Sequence, residues 1–129
     1  MIDHLSLQVR DLSAAAAFYD AVLAPLGGRR LLEFGEVIGY GAQRPEFWLG
    51  PLSSGARGSG GEAREVHVAF SAADRATVAA FHAAALATGA EELHPPRLWP
   101  EYHESYFGAF VRDPDGNNVE AVCHTPPEA

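Results

Sequence analysis

The sequence predicts an α+β domain of two βαβββ halves, with helices on the outer face of curved mixed sheets and a cleft on the inner face. Three observations carry that prediction: short runs in which apolar and polar residues alternate, two helical segments with cap signals, and the order strand, helix, three strands occurring twice. The first half opens with residues 2–9, IDHLSLQV, where Leu5, Leu7 and Val9 fall on one face and His4, Ser6 and Gln8 on the other. A helix comes next, through DLSAAAAFYDAVLAPLGG, with Ser13 as candidate N-cap, Phe18, Val22 and Leu26 at helical spacing, and Gly27 and Gly28 as its exit. Three extended runs, about 30–35, 36–42 and 46–50, are punctuated by Gly35, Gly39, Gly41 and Pro45.

The Gly/Ser-rich stretch PLSSGARGSGGEAR reads as a connection over about 52–63, between a first module of about 1–51 and a second of about 64–124. It lacks the Gly-Lys-Ser/Thr ending of a phosphate loop. The second module repeats the pattern: EVHVAF alternates, and SAADRATVAAFHAAALATG reads as a helix with Ser71 and Asp74 as a capping box and Gly89 as exit. Extended runs near 91–94, 105–112 and 117–124 complete it, and His67 corresponds to His4.

One domain suits a chain of 129 residues with 47% hydrophobic content. Nine basic against seventeen acidic side chains give a formal charge of −8 without a basic block, which argues against nucleic acid and anionic membrane as partners. The opening segment has no leader-like apolar run, so a cytoplasmic protein is expected. A lone cysteine, Cys123, excludes an internal disulfide and a cysteine-based zinc cluster, leaving His and carboxylate as ligands for an inorganic ion.

The segment DPDGNNVEAV places a turn before a strand and an acid inside that strand. Pro114 fixes φ, Asp113 and Asp115 bond back to the backbone and Gly116 takes the left-handed conformation, which pins the register of the last strand. Val119, Ala121 and Cys123 then share one face, and Asn118, Glu120, Val122 and His124 the other. An isolated Glu at such a position is most often a solvated acid, and an isolated His a surface residue. Here, however, His4, His67 and Glu120 all project from the uncovered faces of three separate strands, two of them at equivalent places in the repeat, and together they form a candidate metal site.

With these residues in view, the chain resembles the vicinal oxygen chelate superfamily, which includes glyoxalases, bleomycin resistance proteins, fosfomycin resistance enzymes and extradiol dioxygenases. The resemblance runs from IDHLSLQVRDLSAAAAFYDAVLAPLGG through EVHVAF to FVRDPDGNNVEAV, the last being its most specific part. It implies a pair of βαβββ modules enclosing a cup, a divalent metal held by His4, His67 and Glu120, and a homodimer. Aligning QRPEFWLG with DGNNVEAV puts Trp48 opposite Glu120 and Glu46 opposite Asn118, so the four-ligand glyoxalase pattern is broken. Glu46, beside Pro45 at a strand start, reads as a solvated acid rather than a fourth ligand.

Two imidazoles and one carboxylate on one side of an ion leave the other side open, which suits Fe(II), with Mn(II), Zn(II), Ni(II) or Co(II) chemically admissible. A small oxygen-rich substrate could chelate there. The segment HPPRLWPEYHESYF gathers further candidates: Arg97 to bind a substrate carboxylate or phosphate, Tyr102 or His103 to move a proton, and Tyr106, with Trp48, to line the substrate site. His82 and His94 read as structural or solvated. The expected function is a metal-dependent lyase, isomerase or dioxygenase. Its rival is a metal-free small-molecule or antibiotic-binding protein of the bleomycin-resistance sort, which the acidic charge would suit if the ligand is cationic.

Overall fold

The computed structural model describes residues 1–52 and 64–127, so the predicted connection lies almost wholly outside the described residues. The described residues form two four-stranded mixed sheets with one long helix each. In the first module, β1 (Leu5–Val9), α1 (Leu12–Leu23), a 3-10 turn (Ala24–Leu26), β2 (Arg29–Phe34), β3 (Val37–Gly41) and β4 (Phe47–Pro51) build a sheet of order β1-β4-β3-β2. In the second, β5 (His67–Ser71), α2 (Arg75–Ala87), β6 (Glu92–Leu98), β7 (Phe107–Arg112) and β8 (Asn118–Cys123) build the order β5-β8-β7-β6. The first strand of each module runs parallel to the last, and the other neighbours are antiparallel. The repeat is thus a repeat of topology.

Both helix starts differ from expectation. Asp11, not Ser13, caps α1: its carboxylate accepts from the Ala14 N–H at 3.0 Å, while Ser13 lies inside the helix. Asp74 alone caps α2, accepting from the N–H and hydroxyl of Thr77 at 2.7 Å each, because Ser71 is still paired in β5. In both, an Asp in extended backbone takes the orphan N–H three residues on. The strand near 91–94 also proves longer. β6 runs through Pro95 and Pro96 to Leu98, which an edge strand with register shifts on both sides of His94 tolerates.

Alternating burial holds along the edge strand β1, whereas β7 and β8 are buried on both faces. Leu7, Val9, Ile38, Tyr40, Phe47 and Leu49 pack beneath α1, and Val111, Val119, Ala121 and Cys123 beneath α2. The two halves share this core: the rings of Phe47 and Phe70 meet edge to face at 5.2 Å. A buried polar clasp reinforces the join, the Tyr19 hydroxyl of α1 donating to Asp113 in the DPDG turn at 2.6 Å. Burial and the neighbouring carboxylate push the Tyr19 hydroxyl far above its ordinary range, so it stays a donor.

Gly41 closes β3 where the chain turns back tightly: a Cβ there would lie 1.9 Å from the Arg44 carbonyl oxygen. Gly41→Ala is therefore expected to destabilise the fold by about 2–4 kcal/mol through forced backbone displacement. Urea unfolding checks this, and an unchanged midpoint would show that the β3–β4 turn relaxes freely. No helix among the described residues is long and apolar enough to cross a membrane.

Candidate functional site

The inner face of the second module carries the strongest constellation. His67 opens β5 and Glu120 lies in the middle of β8, and the parallel register pairs His67 with Asn118 and Ala69 with Glu120. On a parallel ladder, that offset puts the two side chains on one face and within reach of each other. His67 Nε2 stands 2.8 Å from Glu120 Oε1. The Tyr106 hydroxyl donates to Oε2. Glu120 is 0% exposed, whereas the His67 side chain is 53% exposed. The carboxylate therefore sits beneath its imidazole rather than beside it in water.

That burial departs from the expectation of an acid open to the cleft. Aromatic residues close over the face: Phe110 lies 5.9 Å from the His67 ring, Trp99 lies 5.1 Å from Phe110, and His94 packs against both. The loop between β6 and β7 is tied back on itself by Trp99 N–H to Tyr106 O at 2.8 Å and Tyr106 N–H to His103 O at 3.2 Å. The Trp99 indole N–H adds a bond to Gly108 O at 3.1 Å. This folding carries Tyr106 to Glu120. Burial first, then the hydrogen bond and charge of Glu120, push the Tyr106 hydroxyl well above the ordinary phenol range.

With Glu120 ionised, the contact requires His67 Nε2 to be the donor, since a carboxylate only accepts. Two donor atoms bound at right angles to one divalent ion at about 2.1 Å stand about 3.0 Å apart, close to the 2.8 Å seen between Nε2 and Oε1. The pair thus fits two neighbouring positions of a coordination shell. Asn118, across the ladder from His67, also has a buried side-chain oxygen without a hydrogen-bond partner among the described residues.

His4 does not join them. It precedes β1, bonds Asp3 through Nδ1 at 2.7 Å, and lines a cleft of about 430 Å³ together with Arg44, Glu46, Val68 and Phe70. Among the described residues no group of three or more His, Cys, Asp or Glu converges as a metal set. Glu46 is exposed, 3.9 Å from Arg44. Its neighbour in pattern, Trp48, faces Ser6 across β1 and β4 as Ala69 faces Glu120 across β5 and β8, so the repeat alignment holds at the level of register. The indole lies over Gly39, where a Cβ would come within 2.8 Å of it.

The remaining loop candidates are engaged locally. Arg97 stacks on Trp99 at 3.4 Å and bonds Glu101 at 3.2 Å, holding that carboxyl below its usual range, so its guanidinium is already committed. Tyr102 is exposed and stacked on Trp99. His103 accepts from the Ser105 N–H at Nδ1, 3.0 Å, and so donates through Nε2 to His124 Nδ1 at 2.9 Å. His124 was not among the sequence candidates, although its parity with Glu120 on the last strand was the available signal. His82 bonds Glu92 at 2.6 Å in a structural role.

This fold and its paired modules define a class, and comparison with known proteins gives it a family. A model of the Glyoxalase/Bleomycin resistance protein/Dioxygenase superfamily matches residues 1–121, and the chain belongs to that superfamily. Among solved structures it is similar to a glyoxalase/bleomycin resistance protein from Albidiferax ferrireducens, with 27% identity, TM-score 0.80, and 94% of this chain and 97% of that one covered. It is also similar to lactoylglutathione lyase from Agrobacterium tumefaciens, with 25% identity, TM-score 0.67, and coverage of 95% and 92%. A fosfomycin resistance protein from Mesorhizobium loti, at 18% identity and TM-score 0.68 with coverage of 97% and 92%, shares the fold. No curated protein matches the sequence.

Proposed function

We propose that the chain is a metal-dependent lyase, isomerase or dioxygenase of this superfamily, acting on a small oxygen-rich substrate at a divalent ion held by His67 Nε2 and Glu120 Oε1. The observation that carries the reading is a fully buried carboxylate held 2.8 Å from a half-exposed imidazole, at the spacing of two neighbouring ligands. When bound, the ion would polarise a substrate carbonyl or stabilise an enolate. Tyr106 holds the second carboxylate oxygen of Glu120 by a hydrogen bond, and His67 would meet the ion through Nε2 as a neutral imidazole. Trp99 and Phe110 exclude water from the buried side.

His4 enters through a second copy of the chain. Among the described residues β1 and β5 lie at the ends of their sheets with no strand paired to their outer edges, His4 directly precedes β1 and His67 opens β5. One copy's β1 laid parallel to another's β5 would bring the two imidazoles to neighbouring strand starts, so the homodimer and the three-ligand set are one proposal. Metal analysis of untagged protein, with titration of Zn(II), Mn(II), Ni(II) and Fe(II), tests it. His67→Ala and His4→Ala are each expected to weaken binding at least tenfold, the latter without altering the His67–Glu120 pair. If wild type binds none of these ions, the metal-free binding reading stands instead, favoured by the fact that His67, Glu120 and Tyr106 already satisfy one another.

A further inference from the structure

Tyr106 reaches Glu120 only because the loop after β6 and the sequence of β7 both permit it. The hydroxyl has one proton and gives it to Oε2, while Oε1 is left to His67. Gly108 forms the wall of this cradle: a Cβ there would lie 3.2 Å from Glu120 Oε2 and 3.3 Å from the Tyr106 ring. A side chain at that position would press on the very oxygen that Tyr106 holds. The phenol is fixed from its other side as well, its ring meeting Tyr102, His103 and His124 edge to face at 4.9, 5.6 and 5.2 Å. His124 in turn anchors His103, the residue whose carbonyl accepts from the Tyr106 N–H.

We infer that Tyr106 is the positioning residue of this site: by holding Oε2 it fixes the carboxylate plane of Glu120 and leaves Oε1 as the single oxygen offered to an ion. The inference rests on the metal-site reading above and adds a constraint to it, that Glu120 binds through one oxygen. A carboxylate held at one atom is hindered from swinging to chelate through both, and a clamp of this kind orients the ligand. It also accounts for the rings of Tyr102, His103 and His124, all of which pack around one phenol. Tyr106 touches the ligand Glu120 directly, so its effect is on ion binding first.

The test uses the full chain and Mn(II) and Zn(II) as probes. Tyr106→Phe keeps the ring and its packing and removes only the donor; it is expected to weaken ion binding tenfold or more by isothermal titration. Gly108→Ala, which crowds Oε2 without touching the hydroxyl, is expected to shift affinity in the same direction. Infrared difference spectra of protein carrying carboxyl-labelled glutamate give a reading that lost stability alone does not move. Wild type is expected to show the wide splitting of a one-oxygen carboxylate on adding ion, and Tyr106→Phe a narrowed one. Binding by Tyr106→Phe within twofold of wild type, with the same splitting, would overturn the inference even if the variant melts earlier. Wild type blank to both ions would overturn the metal reading beneath it, a distinct result because the variant is then blank too.

Discussion

Replacing Asp113 by Ala is expected to lower stability by about 3–5 kcal/mol, enough to bring the melting point down on the order of 10 °C. The carboxylate is buried and takes four donors: the Tyr19 hydroxyl at 2.6 Å, Asn117 Nδ2 at 3.0 Å, and the N–H groups of Asp115 and Asn117 at 2.9 Å each. Truncation leaves all four without their acceptor, three of them buried, and the cost of unsatisfied donors adds to the loss of charge-assisted bonds. Tyr19→Phe removes a single donor and should cost about half as much or less. Since Tyr19 belongs to the first module and Asp113 to the second, the double mutant should be no worse than Asp113→Ala alone. A full additive penalty would show that the clasp across the modules is not the source of the effect.

Glu120→Gln should abolish ion binding at the proposed site, by at least a hundredfold, while costing the fold only about 1–2 kcal/mol. The amide keeps the volume of the carboxylate in a place with 0% exposure, so no cavity opens. It removes the anionic ligand, and it turns one of the two accepting oxygens into a donor facing either Tyr106 or His67. Calorimetric ion titration beside thermal unfolding separates the two consequences. Retained affinity would remove Glu120 from the ligand set, and with it the chemical case for the site.

The faces of the strands were legible from the sequence, because period-2 alternation is local. Val119, Ala121 and Cys123 pack under α2, and Glu120 points the other way beside His67. The DPDG turn was readable for the same reason, since Pro, Asp and Gly dictate backbone angles within four residues. Its second task, receiving Tyr19, was not, because that bond spans 94 residues of chain. Ser13 was a sound cap by residue type, but β1 ends at Val9 and releases the chain early enough for Asp11, two positions before it, to take the cap. The pattern grouped His4 with His67, yet whether the two meet depends on how whole modules pack, to which no local periodicity speaks. The loop from Trp99 to Tyr106 showed its aromatic content in the sequence, but the burial it imposes on Glu120 arises only once Trp99 and Phe110 meet.

The indole of Trp48 resting on Gly39 marks where two halves of common design have diverged. One rung of the ladder bears an anion in the later module and a flat, uncharged plate in the earlier one. Placing an acid at the plate's position would uncover the glycine beneath it. The asymmetry is therefore built into the sheet floor as well as the side chain above it.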